Sequence, residues 1–530
     1  MKIKMILTAL VAALCITAAG QDTSGEKTTV NVILGKEKAV VDAMIYGQML
    51  EDCNDSVIYG GLIRGDGSEH PKVHDLLQPL NIPVMRWPAG TYIHEYHWEN
   101  GIGPRNKRPV VDMMCWGGQD PNTFGTDEFL QWCERMGIKP YLNFNMSNSQ
   151  KFAGSLGEAL NWIEYVNGPV TTAYGMKRAQ NGHPRPYNVE FWCIGNENYG
   201  SYGVHTGETA TVYSNRLHRW AKTIKGLYPT LKLLGIGHTY NWNDTVMAQN
   251  GKLVDYLTLH YYMTAAIKND KLENPRYELF APAKVEENLK ASIEGLNKMN
   301  KTIGRENTPV KFSIDEWNNR HSVFNGVRYN FTRKDARRQF DVATVAGMLN
   351  VFIRQSPAVG MANYIFPVNG HGLIKTAGDN DAYKSALYYV FELYRQYMVG
   401  NRVDMEISGP KVNVPMKALR VEGDMNEDVE KKTKNITVID GAAVAPNDST
   451  LNVGLVNRST NIPQTVILNL PKEYKVDGVW KIESDNINEA NTTDNRNAIA
   501  AKKERTHDKN GVMEIEIKPA GVVLVNCRKY

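Results

Sequence analysis

Hydrophobic positions follow two alternating patterns between about residues 44 and 397. Short apolar runs predict buried strands at 44–49, 82–86, 139–146, 189–194, 231–236, 256–261, 310–314 and 359–366. Longer stretches predict helices at 72–80, 125–136, 156–166, 208–228, 245–249, 284–299, 334–352 and 383–397. Alternating strands and helices favour a parallel sheet, and eight such units can close into an α/β fold of the (β/α)8 TIM barrel type.

A different pattern follows residue 399. Short strand-like segments at 403–407, 451–455, 465–470, 478–482, 513–517 and 522–526 are separated by polar stretches such as 423–434 and 485–510. This pattern is typical of an antiparallel β-sandwich, which the strand-like segment 28–34 can join. We therefore predict a barrel over 41–398 and a β-sandwich domain formed by 21–40 and 399–530. A doubly wound sheet is the alternative, but the chain has no glycine-rich phosphate-binding motif.

The first twenty residues have the pattern of a secretory signal peptide. Lys2 and Lys4 precede an apolar run over 5–19, which ends in small residues. The run is short for a membrane span, and no other stretch is long and apolar enough. We therefore expect a signal peptide at 1–20, export to the periplasm or the medium, and no membrane partner. Cys15 raises the alternative of a lipoprotein, but the bulky Leu14 before it disfavours lipid attachment.

Composition excludes several classes of protein. The 530 residues are 42% hydrophobic and 22% charged, which is ordinary for a folded protein and unlike a disordered one. The 61 Lys and Arg residues nearly balance the 57 Asp and Glu residues, so no nucleic-acid partner is expected. The sequence has no Cys-x-x-Cys pair, no zinc-binding histidine motif and no dinucleotide-binding loop. We therefore expect neither a metal nor a cofactor.

Two glutamates stand where predicted barrel strands end. The fourth strand runs into a segment that ends with Glu197, and the seventh runs into a segment that contains Glu316. Active sites of such barrels lie at the carboxyl ends of the strands, so the two side chains are expected at one opening. Cleavage of a glycosidic bond requires two facing carboxyls: one protonates the leaving oxygen, and the other attacks the anomeric carbon or activates water. Simple alternation does not decide which face of its strand Glu316 occupies.

Several short motifs occur in a fixed order along the predicted barrel. They are Met-Arg-Trp-Pro-Ala-Gly at 85–90, Trp-Glu-Asn-Gly-Ile-Gly-Pro at 98–104, Phe-Gly-Thr-Asp-Glu-Phe at 124–129, Ala-Gln-Asn-Gly-His-Pro at 179–184 and Phe-Trp-Cys-Ile-Gly-Asn-Glu at 191–197. Together they resemble glycoside hydrolase family 51, the α-L-arabinofuranosidases, in which the last motif carries the acid/base. The likeness covers about residues 45–397 and, weakly, the region beyond.

This resemblance implies a retaining mechanism. Glu316 would be the nucleophile that forms a covalent arabinosyl-enzyme, and Glu197 would act first as acid and then as base. The two carboxyls would lie about 5–5.5 Å apart. Tyr262 would hold the nucleophile, and Asn196 would bond the sugar hydroxyl beside the anomeric carbon. Arg86 would brace the nucleophile by charge, with a structural ion pair as the alternative.

Four further residues complete the predicted site. By position, His260 would sit near the nucleophile, and Glu51 matches a substrate-binding glutamate of the family. Trp98 and Trp317 are candidate platforms for stacking on a sugar ring, with packing in the core as the alternative. Such a pocket must hydrogen-bond several hydroxyls at once, because unpaired buried polar groups are costly.

The chain departs from the family pattern near the sugar-binding positions. Ala89 stands where the family usually has glycine, and Phe366 where many members have a sugar-contacting glutamine. We expect an exo-α-L-arabinofuranosidase acting on arabinose-containing plant material, namely arabinan, arabinoxylan or derived oligosaccharides. The same mechanism on another furanoside or a β-glucan, and a non-catalytic carbohydrate-binding protein, are the alternatives. Because the family often forms hexamers or trimers, the resemblance also allows a homo-oligomer.

Overall fold

The computed structural model describes residues 25–35, 39–53, 55–506 and 508–530. The predicted signal peptide at 1–20 therefore lies outside the described residues. Within the described part of the chain, no helix combines the length and the apolar character that crossing a membrane requires.

Eight parallel strands form a closed barrel. In chain order they are Gly47–Met49, Val84–Trp87, Lys139–Phe144, Phe191–Ile194, Lys232–Ile236, Tyr256–Lys268, Lys311–Phe324 and Val359–Tyr364. Each strand pairs with the next, and the eighth pairs with the first at Asn363 and Gly47, which closes the ring. The predicted fold class is confirmed. The carboxyl ends of all eight strands therefore meet at one opening.

The helices complete the strand–helix units of the barrel. They are Pro71–Leu77, Thr126–Met136, Leu156–Asn167, Ala173–Gln180, Ala210–Leu227, Tyr240–Asn250, Pro275–Glu278, Ala281–Thr302, Gln339–Arg354, Tyr388–Tyr397 and, after the barrel, Glu427–Glu430. In Thr126–Met136 the Glu128 side chain accepts a backbone N–H at the helix start, and Gly137 ends the helix in the left-handed conformation. Helix Ala173–Gln180 is not predicted, because its apolar face is short.

Barrel strands six and seven extend well beyond the barrel wall. The apolar runs predict 256–261 and 310–314, whereas the strands span Tyr256–Lys268 and Lys311–Phe324. The two stay paired over this extension, and the seventh turns back into Tyr329–Thr332 as a hairpin. The prediction stops short because polar and apolar residues mix in the extensions. Smaller strands are Val111–Asp112 paired with Gln119–Asp120, Ile374–Thr376 paired with Ala382–Lys384, and Lys271–Leu272.

A second sheet contains strands from both ends of the described chain. Its strands are Thr28–Ile33, Ala39–Val41, Gly400–Ser408, Ile439–Asn447, Thr450–Asn457, Gln464–Asn469, Tyr474–Ile482, Ala501–Glu504, Val512–Ile517 and Val522–Lys529. Most pairs are antiparallel, but Thr28–Ile33 runs parallel to Gln464–Asn469. Gly400–Ser408 pairs with Thr28–Ile33 over its second half and with Ile439–Asn447 over its first. The two halves of the sheet enclose a hydrophobic core of their own, which includes Val30.

The segment 409–438 lies against the barrel. Lys411–Pro415 pairs with Thr433–Thr437, and Val421–Gly423 pairs antiparallel with barrel strand six. A small apolar cluster joins the segment to the barrel: Phe280, Val414, Met416, Leu419 and Val429. The sequence indicates only a polar stretch at 423–434, so this contact is new information from the structure. It brings residues that follow the barrel in sequence to the barrel opening.

Candidate active site

Glu197 and Glu316 lie close together at the barrel opening. Glu316 is buried within barrel strand seven, and Glu197 follows strand four with a φ of 42°. One carboxylate oxygen of each glutamate and a ring nitrogen of His260 all lie within 4.8 Å of one another. The pairing of strand seven with both of its neighbours is irregular just before Glu316. Simple alternation fails there, which is why the face of Glu316 could not be predicted.

The Glu316 carboxylate is held by two donors. Arg86 Nη1 lies 2.6 Å from Oε1, and the Tyr262 hydroxyl donates to Oε2. Burial alone would raise the pKa of Glu316, but the charges of His260 and Arg86 and these hydrogen bonds lower it to about 2. The carboxylate is therefore ionised at neutral pH, as a nucleophile must be. A Cβ on Gly90 would lie 2.6 Å from Oε1, so this glycine leaves room for the carboxylate.

His260 bridges the two glutamates. Its Nδ1 lies 2.8 Å from Glu197 Oε1 and 3.7 Å from Glu316 Oε2. Burial lowers the pKa of His260, but the charges of Glu316 and Glu197 raise it to about 9. The imidazole is therefore a cation at neutral pH, and it offsets part of the negative charge of the Glu316 carboxylate. The Tyr199 hydroxyl donates to the same Glu197 oxygen at 3.3 Å.

Arg86 connects Glu316 to the barrel wall. Its Nη2 donates to Asn196 Oδ1 at 2.7 Å, and its Nε lies 3.3 Å from Asp315 Oδ2. The Tyr141 hydroxyl donates to the same Asp315 oxygen at 2.7 Å. Asn196 is thus fixed through Oδ1, while its buried Nδ2 has no hydrogen-bond partner among the described residues. Asn196 is fully buried, so its Nδ2 is an unpaired buried donor, which is costly to leave without a partner.

Glu51 lies at the end of the first barrel strand and accepts three hydrogen bonds through Oε1. The donors are the backbone N–H of Gly90 at 3.1 Å, that of Tyr92 at 3.2 Å and the indole N–H of Trp116 at 3.1 Å. Burial and the charge of Glu316 raise the pKa of Glu51 to about 7, against the effect of these hydrogen bonds. Glu51 can therefore carry a proton near neutral pH and donate to a sugar hydroxyl.

A cavity of about 530 Å³ opens over these groups. Its walls include Glu51, Trp116, Glu197, Tyr199, Tyr202, His238, Tyr262, Glu316, Arg320, Phe331, Arg333, Phe366, His371 and Glu422. This volume is typical of a pocket for a small ligand. Sequence reasoning misses the wall residues from loops, from the hairpin and from the segment after the barrel, such as Trp116, Phe331 and Glu422. Tyr199 carries a signal, because it follows the acid/base motif two residues after Glu197.

The two tryptophans predicted as stacking platforms are buried away from the cavity. Trp98 is 1% exposed, and its indole N–H donates to the Glu158 carbonyl at 3.1 Å. Trp317 is fully buried and packs among aromatic rings that include Phe391. Trp317 follows Glu316 in an extended strand, so the two side chains point to opposite faces. The prediction that these tryptophans bind sugar is wrong, because both pack in the core.

Ala89 and Phe366 occupy the positions where the motifs depart from the family pattern. Ala89 is buried next to Gly90, which faces the Glu316 carboxylate. Phe366 is buried and lines the cavity. Its ring offers no hydrogen bond to a sugar hydroxyl, so this part of the wall is apolar.

Glu197, His260 and Glu316 are also the one cluster of metal-ligand groups found among the described residues. A metal would have to displace the proton of the cationic His260 and compete with Arg86 for Glu316. The hydrogen bonds of the cluster instead place an ionised carboxylate beside a second carboxyl. This donor set fits nucleophilic and acid–base chemistry better than a resident metal ion.

Comparison with known proteins assigns the chain to a family. Two family models match, the alpha-L-arabinofuranosidase 1 domain over residues 76–278 and the alpha-L-arabinofuranosidase C-terminal domain over residues 315–520. A protein of Aspergillus niger named "Probable alpha-L-arabinofuranosidase C" is 31% identical over 422 residues, which cover 76% of this chain and 79% of that protein. This chain belongs to the α-L-arabinofuranosidase family.

Solved structures place this α-L-arabinofuranosidase family member in glycoside hydrolase family 51. The GH51 α-L-arabinofuranosidase of Thermotoga petrophila has a TM-score of 0.79 and 26% sequence identity, with 94% of this chain and 99% of that chain covered. The intracellular exo-α-L-arabinofuranosidase of Bacteroides ovatus is 26% identical over 89% of this chain and 88% of that protein. The family and the fold implied by the sequence motifs are thereby confirmed.

Proposed function

We propose that the chain is a retaining, exo-acting α-L-arabinofuranosidase in which Glu316 is the nucleophile and Glu197 the acid/base. The observation that carries the proposal is the short distance between them, since a carboxylate oxygen of each lies within 4.8 Å of the other. Retaining glycosidases need carboxyls about 5–5.5 Å apart for direct attack, whereas inverting enzymes need about 6.5–9.5 Å to admit a water. The ionised, braced state of Glu316 supports its role as nucleophile.

In the first step, a Glu316 oxygen attacks the anomeric carbon of a terminal arabinofuranose, and the bond from that carbon to the leaving oxygen breaks. Glu197 donates its proton to the leaving oxygen during this step. Arg86 and Tyr262 hold the attacking carboxylate in place. The products are a covalent arabinosyl-enzyme ester and the rest of the substrate, which carries the proton.

In the second step, Glu197 takes a proton from a water molecule, whose oxygen attacks the anomeric carbon. The ester bond to Glu316 breaks, arabinose leaves with its configuration retained, and Glu197 is protonated again. Asn196 Nδ2 and the Glu51 carboxyl are the groups that we assign to the sugar hydroxyls in both steps. Their fixed positions support a pocket that is organised before substrate binds.

The cavity supports a terminal sugar as the reacting unit. Its volume of about 530 Å³ suits one furanose and part of the next unit. We therefore propose arabinose-containing plant polysaccharides or their oligosaccharides as substrates. The Bacteroides ovatus relative is named an exo-enzyme, which supports release from chain ends. No observation favours the β-glucan alternative or a non-catalytic binding protein.

We also propose export, on the strength of Lys2, Lys4 and the apolar run at 5–19. One relative is named intracellular, so the location needs a direct test. Fractionation of cells followed by amino-terminal sequencing would provide it. A chain beginning near Gln21 in the periplasm or the medium supports export, whereas an uncleaved chain in the cytoplasm contradicts it.

We retain the division into a catalytic barrel at 41–398 and a sandwich domain at 21–40 and 399–530, with the segment 409–438 packed on the barrel. We also propose a homo-oligomer, which is supported by the family resemblance. Light scattering on the purified full chain tests this assembly. A mass near that of one chain would contradict it.

The decisive experiment is hydrolysis of a panel of aryl glycosides by the full chain. We expect turnover of the α-L-arabinofuranoside, with retention of configuration seen by NMR. Glu316→Ala should abolish turnover, and Glu197→Ala should regain it with azide, giving an arabinosyl azide. Glu190→Gln is the matched control, because Glu190 lies just before barrel strand four with its side chain 43% exposed, and it should keep full activity.

Each other outcome is informative. Cleavage of a different glycoside with the same dependence on Glu316 would support the proposed mechanism and assign a different sugar to the substrate. Inversion of configuration contradicts the retaining mechanism. Binding of arabino-oligosaccharides without cleavage of any glycoside would contradict the proposed enzyme and support a carbohydrate-binding protein.

A further inference from the structure

The segment that follows the barrel in sequence reaches the active site at Asp424. The strand Val421–Gly423 pairs antiparallel with barrel strand six, with Gly423 opposite Tyr261. Gly423 has a φ of 119°, and a Cβ there would lie 2.0 Å from the His260 carbonyl oxygen. A glycine at this position therefore allows the segment to approach strand six closely.

Asp424 is buried and bonds to the barrel through both carboxylate oxygens. Its Oδ2 accepts from the His260 backbone N–H at 2.6 Å, and its Oδ1 lies 2.5 Å from His238 Nδ1. Asn288 holds the segment itself. Its Nδ2 donates to the Asp424 carbonyl at 2.8 Å, and its Oδ1 accepts from the Asn426 N–H at 2.8 Å. The carboxylate is therefore fixed relative to the ends of barrel strands five and six.

Two short paths lead from Asp424 to Glu197. In the first, His238 stacks on Tyr199 with ring centroids 3.9 Å apart, and the Tyr199 hydroxyl donates to Glu197 Oε1 at 3.3 Å. In the second, His260 bonds to Asp424 through its backbone and places its Nδ1 2.8 Å from the same Glu197 oxygen. The Asp424 carboxylate thus orders both side chains, Tyr199 and His260, that bond to Glu197 Oε1. The other oxygen, Oε2, is left for proton exchange with substrate.

We propose that Asp424 is a positioning residue for the acid/base, supplied by the region after the barrel. The proposal rests on the proposed function of Glu197. Asp424 acts by fixing His238, Tyr199 and His260, and through them the orientation of the Glu197 carboxyl. General acid–base catalysis contributes about 10²–10⁴-fold to a rate and depends on placing the proton within reach of the leaving oxygen. If Glu197 is less well positioned, part of this rate contribution should be lost, but only for substrates whose leaving oxygen needs a proton.

The test compares Asp424→Asn with Glu197→Ala on α-L-arabinofuranosides whose leaving groups differ in basicity. Asparagine keeps the shape of the side chain but removes its charge and offers one acceptor oxygen in place of two. A 2,4-dinitrophenolate leaves without a proton, whereas a simple alcohol needs one. We expect Asp424→Asn to lower kcat/KM about 10–100-fold for the methyl arabinofuranoside and less than about threefold for the dinitrophenyl one.

Asp428→Asn is the matched control, because Asp428 lies on the same segment, is 71% exposed and bonds to Lys431. It should leave both substrates unaffected. Tyr199→Phe is a second variant, since it removes the hydroxyl that bonds Glu197 and keeps the ring on His238. We expect it to show the same selective loss in smaller degree. If circular dichroism shows that Asp424→Asn does not fold, Tyr199→Phe provides the test in its place.

Equal losses on both substrates, or no loss on either, would overturn the role of Asp424. If Glu197→Ala itself shows no preference for the better leaving group, the assignment of the acid/base fails instead. The two failures are therefore distinguishable. A steeper dependence of kcat/KM on leaving-group pKa in Asp424→Asn, in a protein that unfolds like the wild type, supports the proposal.

Discussion

Arg86 Nη1 and Glu316 Oε1 lie 2.6 Å apart, and both side chains are buried. The same guanidinium lies 3.3 Å from Asp315, so one cation is enclosed with two carboxylates. Removing one member of a buried ion pair leaves an uncompensated charge. The stability of the barrel and the ionisation of Glu316 therefore depend on the same contact.

We expect Arg86→Met to lower the free energy of unfolding by about 3–5 kcal/mol. The substitution should also raise the pKa of Glu316, because a cation next to the carboxylate is lost. Chemical denaturation measures the first effect, and the acid limb of the kcat/KM profile against pH measures the second. Arg86→Lys keeps the charge and should retain part of both. If Arg86→Met has the same denaturation midpoint as the wild type, the expected loss of stability is contradicted.

Tyr262→Phe should slow turnover with little change in melting temperature. The hydroxyl donates to Glu316 Oε2, and the ring itself is covered by Arg320, whose guanidinium carbon lies 3.3 Å from the ring centroid. Loss of a hydrogen bond to a charged group is worth about 1.5–3 kcal/mol, which corresponds to about ten- to hundredfold in kcat. Steady-state kinetics and thermal unfolding measure the two quantities. A large drop in melting temperature would show that the hydroxyl supports the fold instead.

His260→Asn should move the acid limb of kcat/KM to higher pH. The cationic imidazole helps to lower the pKa of Glu316, so a neutral side chain lets that pKa rise. The pKa of His260 in the folded protein is about 9, above its ordinary value of 6.5. Its charge therefore contributes stability that is complete below pH 6.5 and is lost as the pH rises through about 9.

Thermal unfolding between pH 6 and pH 10 tests the same histidine independently of turnover. The wild type should lose more stability than His260→Asn over this range. Parallel curves for the two proteins would mean that the charge of His260 does not stabilise the fold.

Glu51→Gln should bind substrate better than Glu51→Ala. Glutamine keeps an acceptor oxygen for the N–H groups of Gly90, Tyr92 and Trp116, whereas alanine leaves these buried donors unpaired and should raise KM. The pKa of Glu51 is about 7, above its ordinary value of 4.5, so its stabilising effect is complete below pH 4.5 and is lost as the pH rises through about 7. The melting temperature of the wild type should therefore fall relative to Glu51→Gln between pH 5 and pH 8. A constant difference would contradict this assignment.

We expect Trp116→Ala to affect substrate binding and Trp317→Ala to affect stability. Trp116 lines the cavity and donates to Glu51, so its loss should raise KM. Trp317 is fully buried, so its loss should destabilise the fold by about 3–5 kcal/mol and leave KM of the folded enzyme unchanged. Kinetics and denaturation of both variants measure this contrast. A raised KM in fully folded Trp317→Ala would show that Trp317 contributes to substrate binding.

The barrel and its two central glutamates could be predicted because local signals carry them. Apolar runs mark the strands, and Glu197 and Glu316 stand three and two residues after the runs that end at 194 and 314. The roles of Trp98 and Trp317 could not be predicted in this way, since a tryptophan beside a motif looks the same whether it faces a cavity or the core. Burial depends on which face of a strand or turn it occupies, and irregular pairing near Glu316 breaks the simple rule.

The part played by the segment after the barrel was beyond the reach of sequence patterns. Asp424 and the His260 backbone are 164 positions apart, and their contact depends on the pairing of Val421–Gly423 with a strand extension that also was not predicted. The surrounding residues are mostly polar, which is typical of a surface loop. Only the close approach at Gly423 in three dimensions reveals the contact.

The strand Thr28–Ile33 lies between Gly400–Ser408 and Gln464–Asn469. On the ribosome this strand emerges before either neighbour has been made. One edge has no partner until translation has passed residue 408, and the other has none until it has passed residue 469. The core around Val30 and Val32 is still incomplete at that point. An open apolar strand edge is a template for joining other chains. Among the strands of the described residues, the first to be synthesised is therefore among the last to be fully paired, and one of its edges stays open for most of translation.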